Sequence, residues 1–272
     1  MSTALALVRP VNCLIGAVGT LIGALVAVGF DILDDPVFLG MALLVVALHM
    51  AAGNMLNDYF DRETDKVAHP DRPIPSGKVR AESVRNASIA IFALSVALSW
   101  FINPLSFLIA LLAALLMMKY EVWLKARGFV GNLSIAALIG LVFVFGGAAV
   151  GKPLVPLFLG ILAGLANISR EIVKDVEDME GDKDRRTLPK QIGEGKALAV
   201  AAIVLIIAVA MSPLAYWPLD LLSVEYVYVV AGADLVFIAS ITRFGSNPRQ
   251  AQNLLKLGMV VSLASFLAGA LL

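Results

Sequence analysis

The sequence predicts an all-α membrane protein, nine transmembrane helices in one bundle, on three observations. Of its 272 residues 60% are hydrophobic and 15% charged, with a mean hydropathy of +0.88; soluble domains are nearer half apolar and a quarter charged. Apolar stretches of crossing length recur along the whole chain. When they are threaded alternately through a bilayer, all of the 21 Lys and Arg except Lys152 fall on one side.

A helix needs about 17 to 25 apolar residues to cross, and the stretches that qualify are 5–29, 36–56, 84–102, 104–124, 132–150, 153–173, 197–215, 224–241 and 253–272. The first continues from near Ala4 to Phe30 with no polar break and no cleavage site, so it reads as a span and not as a signal peptide. Asn103-Pro104 joins the third to the fourth, and Gly151-Lys152-Pro153 the fifth to the sixth, each as a tight hairpin. The spacings Gly19-x-x-x-Gly23, Gly147-x-x-x-Gly151 and Gly160-x-x-x-Gly164 suit close helix packing. Met117-Met118 reads as filler. Cys13 is the single cysteine and reads as a small packing residue, which excludes an internal disulfide and a thiolate zinc site.

Cytoplasmic loops collect Lys and Arg, so the basic side, with the N-terminus, is read as cytoplasmic and the C-terminus as outside. Asp31, Asp34, Asp35, Asp220 and Glu225 then lie outward.

Asn54, Asp58, Asp61 and Asp65, at the end of the second span, share one face if read as a helix. Shifting each position by 117 gives Glu171, Asp175, Asp178 and Asp182, at the end of the sixth. The echo continues from Pro73 and Gly77 to Pro189 and Gly193, offset by 116. Clusters four spans apart on one side imply a parallel four-helix pseudo-repeat with one helix added.

Like charges on one face repel unless a cation sits between them. Carboxylate and amide oxygens without cysteine or clustered histidine are the ligands of hard cations, Mg²⁺ above all. Two such clusters facing each other suit a diphosphate bridged by metal. The bland alternative, two solvated acidic loops beside Lys and Arg, is disfavoured by the repeated spacing and by its place at two span ends. Basic residues follow both clusters: Arg72 and Lys78 in a loop fixed by Pro73, Pro75 and Gly77, then Lys183, Arg185, Arg186 and Lys190. They suit the remaining phosphate oxygens. Tyr120 reads either as an interfacial anchor or as a π-face beside a cationic intermediate. Arg9 with Asn12 either snorkels or reaches a phosphate. His49 and Asp234, inside spans, read as polar contacts within the bundle.

In Asn54-x-x-Asn57-Asp58-x-x-Asp61-x-x-x-Asp65 and Asp175-x-x-Asp178-x-x-x-Asp182 the chain resembles the UbiA superfamily of intramembrane prenyltransferases. Asp71-Arg72-Pro73-Ile74-Pro75-Ser76-Gly77 and the stretch from Ser169 to Asp178 are most similar to its archaeal digeranylgeranylglyceryl phosphate synthase branch. That branch joins geranylgeranyl diphosphate to the free hydroxyl of geranylgeranylglyceryl phosphate, making the second ether bond of archaeal lipids.

The resemblance implies one prenyltransferase domain over 1–272, its loops 57–83 and 174–196 capping the active site. Two Mg²⁺ are implied, held by Asn54, Asp58, Asp61, Asp65, Asp175, Asp178 and Asp182, with Asp58 and Asp175 catalytic; Glu171 stands where the first motif has an amide. Arg72 and Lys78 match the cations on the leaving diphosphate, and Tyr120 with Lys125 the tyrosine and lysine of the fourth-to-fifth loop. Arg170, Lys174 and Lys190, the basic set nearest the second cluster, are the expected contacts of a phosphorylated acceptor. The expected partners are geranylgeranyl diphosphate, a lipid-like glyceryl phosphate and the bilayer, with no nucleic acid. Two other readings stay open here: an aromatic-acceptor prenyltransferase, and a divalent-cation transporter, which would carry its acids nearer the bilayer midplane on interrupted helices.

Overall fold

The computed structural model describes residues 3–179 and 186–272, which are helical with short connections and hold no strand. The long helices are α1 (Pro10–Val28), α2 (Pro36–Phe60), α3 (Ala81–Trp100), α4 (Pro104–Lys119), α5 (Phe129–Ala149), α6 (Leu157–Glu177), α7 (Glu194–Met211), α8 (Val224–Ile241) and α9 (Pro248–Leu271). Four of them, α1, α2, α4 and α9, begin with proline, whose missing N–H costs nothing in a first turn. Side chains cap three of these: Asp35, Asn103 and Asn247 accept from the backbone N–H of Phe38, Ser106 and Gln250.

Among the described residues, eight helical segments are long and apolar enough to cross a membrane. The exception among the expected spans is α6. It is helical throughout, but Arg170, Glu171, Lys174, Asp175 and Glu177 occupy its last turns, so the apolar part from Leu157 to Ser169 is short of crossing length. The first expected span is also divided, into a short helix Thr3–Val8 and α1. The break is Arg9, at φ 53° and ψ 71°, because a residue before proline is pushed out of the right-handed helical region.

Neighbours in sequence pack as neighbours in space, α1 on α2 on α3 on α4 and α5 on α6 on α7 on α8, as the repeat predicts. The first helices of the two halves, α1 and α5, pack on each other, and α9 packs on α8, α6 and α1. A Cβ on Gly23 would collide with the Phe143 carbonyl, and one on Gly146 with the Thr20 carbonyl, so glycine is what allows α1 and α5 to meet backbone to backbone. Gly160 packs likewise on Gly140 of α5. The Gly147–Gly151 pair differs from expectation. Gly151 has φ 77° with nothing beside it, and Lys152 N–H bonds the Gly147 carbonyl at 2.8 Å, so this pair makes a turn and not a helix contact.

His49 and Asp234, inside the bundle, each find a polar neighbour, although among the described residues His49 Nε2 is buried without a hydrogen-bond partner. His49 Nδ1 lies 3.2 Å from Ser95 Oγ, and Asp234 accepts from Ser212 Oγ at 2.7 Å. Cys13 is buried, and Met117 packs over Gly53.

Candidate active site

The end of the bundle that carries Arg9, Asp58, Lys125 and Glu177 gathers both acidic clusters. In the first, α2 stops at Phe60 and a second short helix, Arg62–Ala68, begins after Asp61, so the expected single helical face is interrupted there. The backbone bonds nevertheless continue, Asp61 N–H to Asn57 and Asp65 N–H to Asp61, which keeps the acids in helical order. Asp58 and Asp65 are 4% and 5% exposed. Buried carboxylates demand cations, and each has one. Asp58 pairs with Arg9, with Arg72 Nη1 3.9 Å away, and Arg72 donates to Asp65 Oδ2 at 2.6 Å. Lys125 Nζ donates to both oxygens of Asp61, at 2.7 and 2.8 Å, and to Glu121 Oε2 at 3.0 Å. Asn54 donates to the Val8 carbonyl at 2.9 Å and accepts from Asn12 at 3.3 Å. A cavity of about 380 Å³ opens beside Arg9, Asp58, His69, Asp71 and Arg72.

In the second cluster Asn132, at the start of α5, donates to Asp175 Oδ2 at 3.0 Å. Arg170 pairs with Glu171, whose other oxygen lies 3.8 Å from Lys174 Nζ, and Lys174 stands 3.9 Å from Asp178. Glu171 is thus engaged by cations of its own helix. Gln252 of α9 donates to Glu177 beside them. Asp182 lies outside the described residues. Lys78 and Lys190 are both exposed, Lys190 on the short helix Leu188–Ile192. Tyr120 opens a π-helical turn, Tyr120–Leu124, with Lys125 Nζ 5.9 Å from its ring centre.

The connection from α4 into the first turn of α5 touches both clusters: Glu121 and Lys125 before α5 hold the first, and Asn132 within α5 holds the second. Glu121, Asn132 and Gln252 are not among the site residues expected from the sequence. Only Glu121 left a trace, standing four residues before Lys125 at the spacing of a helical ion pair.

Among the described residues, no three Asp, Glu, His or Cys side chains converge to hold a metal by themselves. The carboxylates of the first cluster instead lean on arginine or lysine, with Lys125 shared by Asp61 and Glu121, and Asp175 accepts from Asn132. Mg²⁺ does not require such a cage, since it keeps several waters and takes one or two carboxylates plus phosphate oxygens. An all-oxygen donor set, with Asp58 on a cavity that also presents Arg9 and Arg72, fits a metal-bound diphosphate.

The description "UbiA prenyltransferase family" matches residues 17–266. The chain belongs to this family. It is a prenyltransferase of the multi-pass membrane type, built on the UbiA fold. The digeranylgeranylglyceryl phosphate synthase of Methanosarcina mazei is 42% identical, with 98% of each chain covered, and that of Methanopyrus kandleri is 39% identical over the full length of both. A solved structure bearing on digeranylgeranylglyceryl phosphate synthase in membranes superposes with a TM-score of 0.82 at 34% identity, covering 99% of this chain and 98% of the other. A UbiA homologue from Archaeoglobus fulgidus bound to GPP and Mg²⁺ shares the fold, with a TM-score of 0.68, 21% identity and 99% of each chain covered.

Proposed function

We propose that this prenyltransferase carries a geranylgeranyl group from geranylgeranyl diphosphate to the free hydroxyl of geranylgeranylglyceryl phosphate, forming an ether and releasing diphosphate. The observation that carries this reading is the likeness, over 98% of each chain, to the Methanosarcina mazei synthase. The connection that touches both acidic clusters supports it.

In this reading Asn54, Asp58, Asp61 and Asp65 from one half, and Asp175, Asp178 and Asp182 from the other, would hold two Mg²⁺. Mg²⁺, when bound, neutralises the departing diphosphate and so eases ionisation of the allylic C–O bond. Arg72, Lys78, Lys125 and Arg9 give the same phosphates charge-assisted hydrogen bonds. Asn12 holds Asn54 in register. The Tyr120 ring faces the developing allylic cation, and the apolar bundle keeps water from it. Arg170, Lys174 and Lys190 bind the phosphate of the acceptor, whose hydroxyl attacks C1 and loses its proton late, without a strong base. Segments 57–83 and 174–196, of which 180–185 lie outside the described residues, would cover the site from the basic side, which faces the cytoplasm and leaves the C-terminus outside.

The test is incubation of the purified protein with geranylgeranyl diphosphate and Mg²⁺ against a panel of geranylgeranylglyceryl phosphate, glyceryl phosphate and 4-hydroxybenzoate, read by mass spectrometry. The digeranylgeranyl ether is expected as the product. Prenylated 4-hydroxybenzoate with no ether would overturn the acceptor assignment.

A further inference from the structure

The Glu121 side chain has 0% of its surface exposed, although it belongs to neither acidic cluster. A buried carboxylate persists only if its lone pairs are used. Both oxygens are engaged: Oε1 accepts from Asn57 Nδ2 at 2.9 Å and Oε2 from Lys125 Nζ at 3.0 Å. Each partner is one step from a cluster acid. Asn57 precedes Asp58 in α2, and Lys125 is bonded to both oxygens of Asp61.

The single positive charge of Lys125 therefore faces two carboxylates. Shared in this way it cannot neutralise Asp61 in full. Glu121 stands in the π-helical turn Tyr120–Leu124, an insertion of the kind that redirects side chains at functional sites. From there it reaches α2 while Lys125, four residues on, reaches Asp61.

We propose that Glu121 is a positioning residue: it shares the Lys125 ammonium, leaving Asp61 negative enough to receive a divalent cation, and it fastens the π-turn to Asn57 beside Asp58. This rests on the reading above, in which the first cluster holds metal. Glu121 touches neither substrate nor ion in this account. It acts through Lys125 and Asn57.

The test uses Mn²⁺ as the probe ion, with its binding to the purified protein in the presence of geranylgeranyl diphosphate followed by electron paramagnetic resonance. Glu121→Gln keeps an oxygen for Asn57 and removes the charge, so Lys125 turns wholly to Asp61. Outer-shell changes cost about 10- to 100-fold in metal affinity, and a loss of about tenfold is expected here. The donor KM rises with it while the acceptor KM holds. Glu121→Asp retains the charge with a shorter reach and is expected to lose less than Glu121→Gln but measurably more than nothing. It carries the test should Glu121→Gln fail to fold. Unchanged Mn²⁺ affinity in the folded variants, or donor and acceptor KM rising together, overturns the proposal. Asp58→Asn separates the two levels. If it too leaves Mn²⁺ binding intact, the metal reading falls; if it alone abolishes binding, only the role of Glu121 does.

Discussion

Arg9 combines a strained backbone with an ion pair, and the two can be separated by replacing it with alanine or with glycine. Its φ of 53° and ψ of 71° lie in the left-handed region, which costs an L-residue about 1–2 kcal/mol and costs glycine almost nothing. Its guanidinium is 30% exposed and its partner Asp58 5%. An exposed pair contributes about 0–1 kcal/mol, whereas breaking a buried one costs about 3–5 kcal/mol. With the arginine still partly in water, and Arg72 standing 3.9 Å from the same carboxylate oxygen, we assign about 1–2 kcal/mol to this pair, between those limits. Arg9→Ala loses the pair and keeps the strain. Arg9→Gly loses the pair and the strain, at an entropic cost of about 0.5–1 kcal/mol. Glycine is therefore expected to be the more stable variant by about 0.5–1 kcal/mol, which is about 1–4 °C in Tm for a chain of this size. Both variants are expected to transfer prenyl groups about 10- to 100-fold more slowly, because either removes the same charge-assisted contact. Thermal unfolding in detergent, paired with a transfer assay, reads both quantities. An alanine variant as stable as the glycine one would refute the strain argument. Equal activity in variant and parent would remove Arg9 from the chemistry.

Asp58→Asn and Asp175→Asn should fold, by thermal melt, yet transfer at least about 100-fold more slowly, the loss typical of one electrostatic stabiliser. Asn132→Ala releases Asp175 from its 3.0 Å bond, and should raise the donor KM by about fivefold, in line with a net hydrogen bond of about 1 kcal/mol. In Gly146→Ala the new Cβ meets the Thr20 carbonyl and lies 2.9 Å from the Ala24 nitrogen, so α1 and α5 must part; unfolding should show a loss of about 1–3 kcal/mol. Chelating the metal with EDTA should stop transfer, and added Mg²⁺ should restore it.

The site was legible where chemistry repeats along the chain. Asp58, Asp61 and Asp65, with their echo at Asp175 and Asp178, announced themselves by spacing alone. Contacts between distant segments left no such mark. Asn132 meets Asp175 because α5 packs on α6, and Glu121 meets Asn57 because the π-turn swings it toward α2; neither follows from local periodicity. Gly147 and Gly151 show the opposite error, since a four-residue spacing between glycines serves a turn as readily as a helix contact. The break at Arg9 was readable from Pro10 and was hidden by the uniform hydropathy around it. In α6, mean hydropathy underrates the helix because the acids belong to its last turns and not to a loop.

The central claim is that two acidic clusters, one from each half, grip one diphosphate through divalent metal. The most direct measurement is the structure of the protein with Mn²⁺ and a non-hydrolysable geranylgeranyl diphosphate analogue, the metal located by anomalous scattering. Mn²⁺ peaks are expected against Asp58 or Asp61 on one side and Asp175 or Asp178 on the other, sharing the diphosphate oxygens between them. Manganese bound elsewhere, or a diphosphate held by arginine and lysine alone with no peak at either cluster, would contradict it.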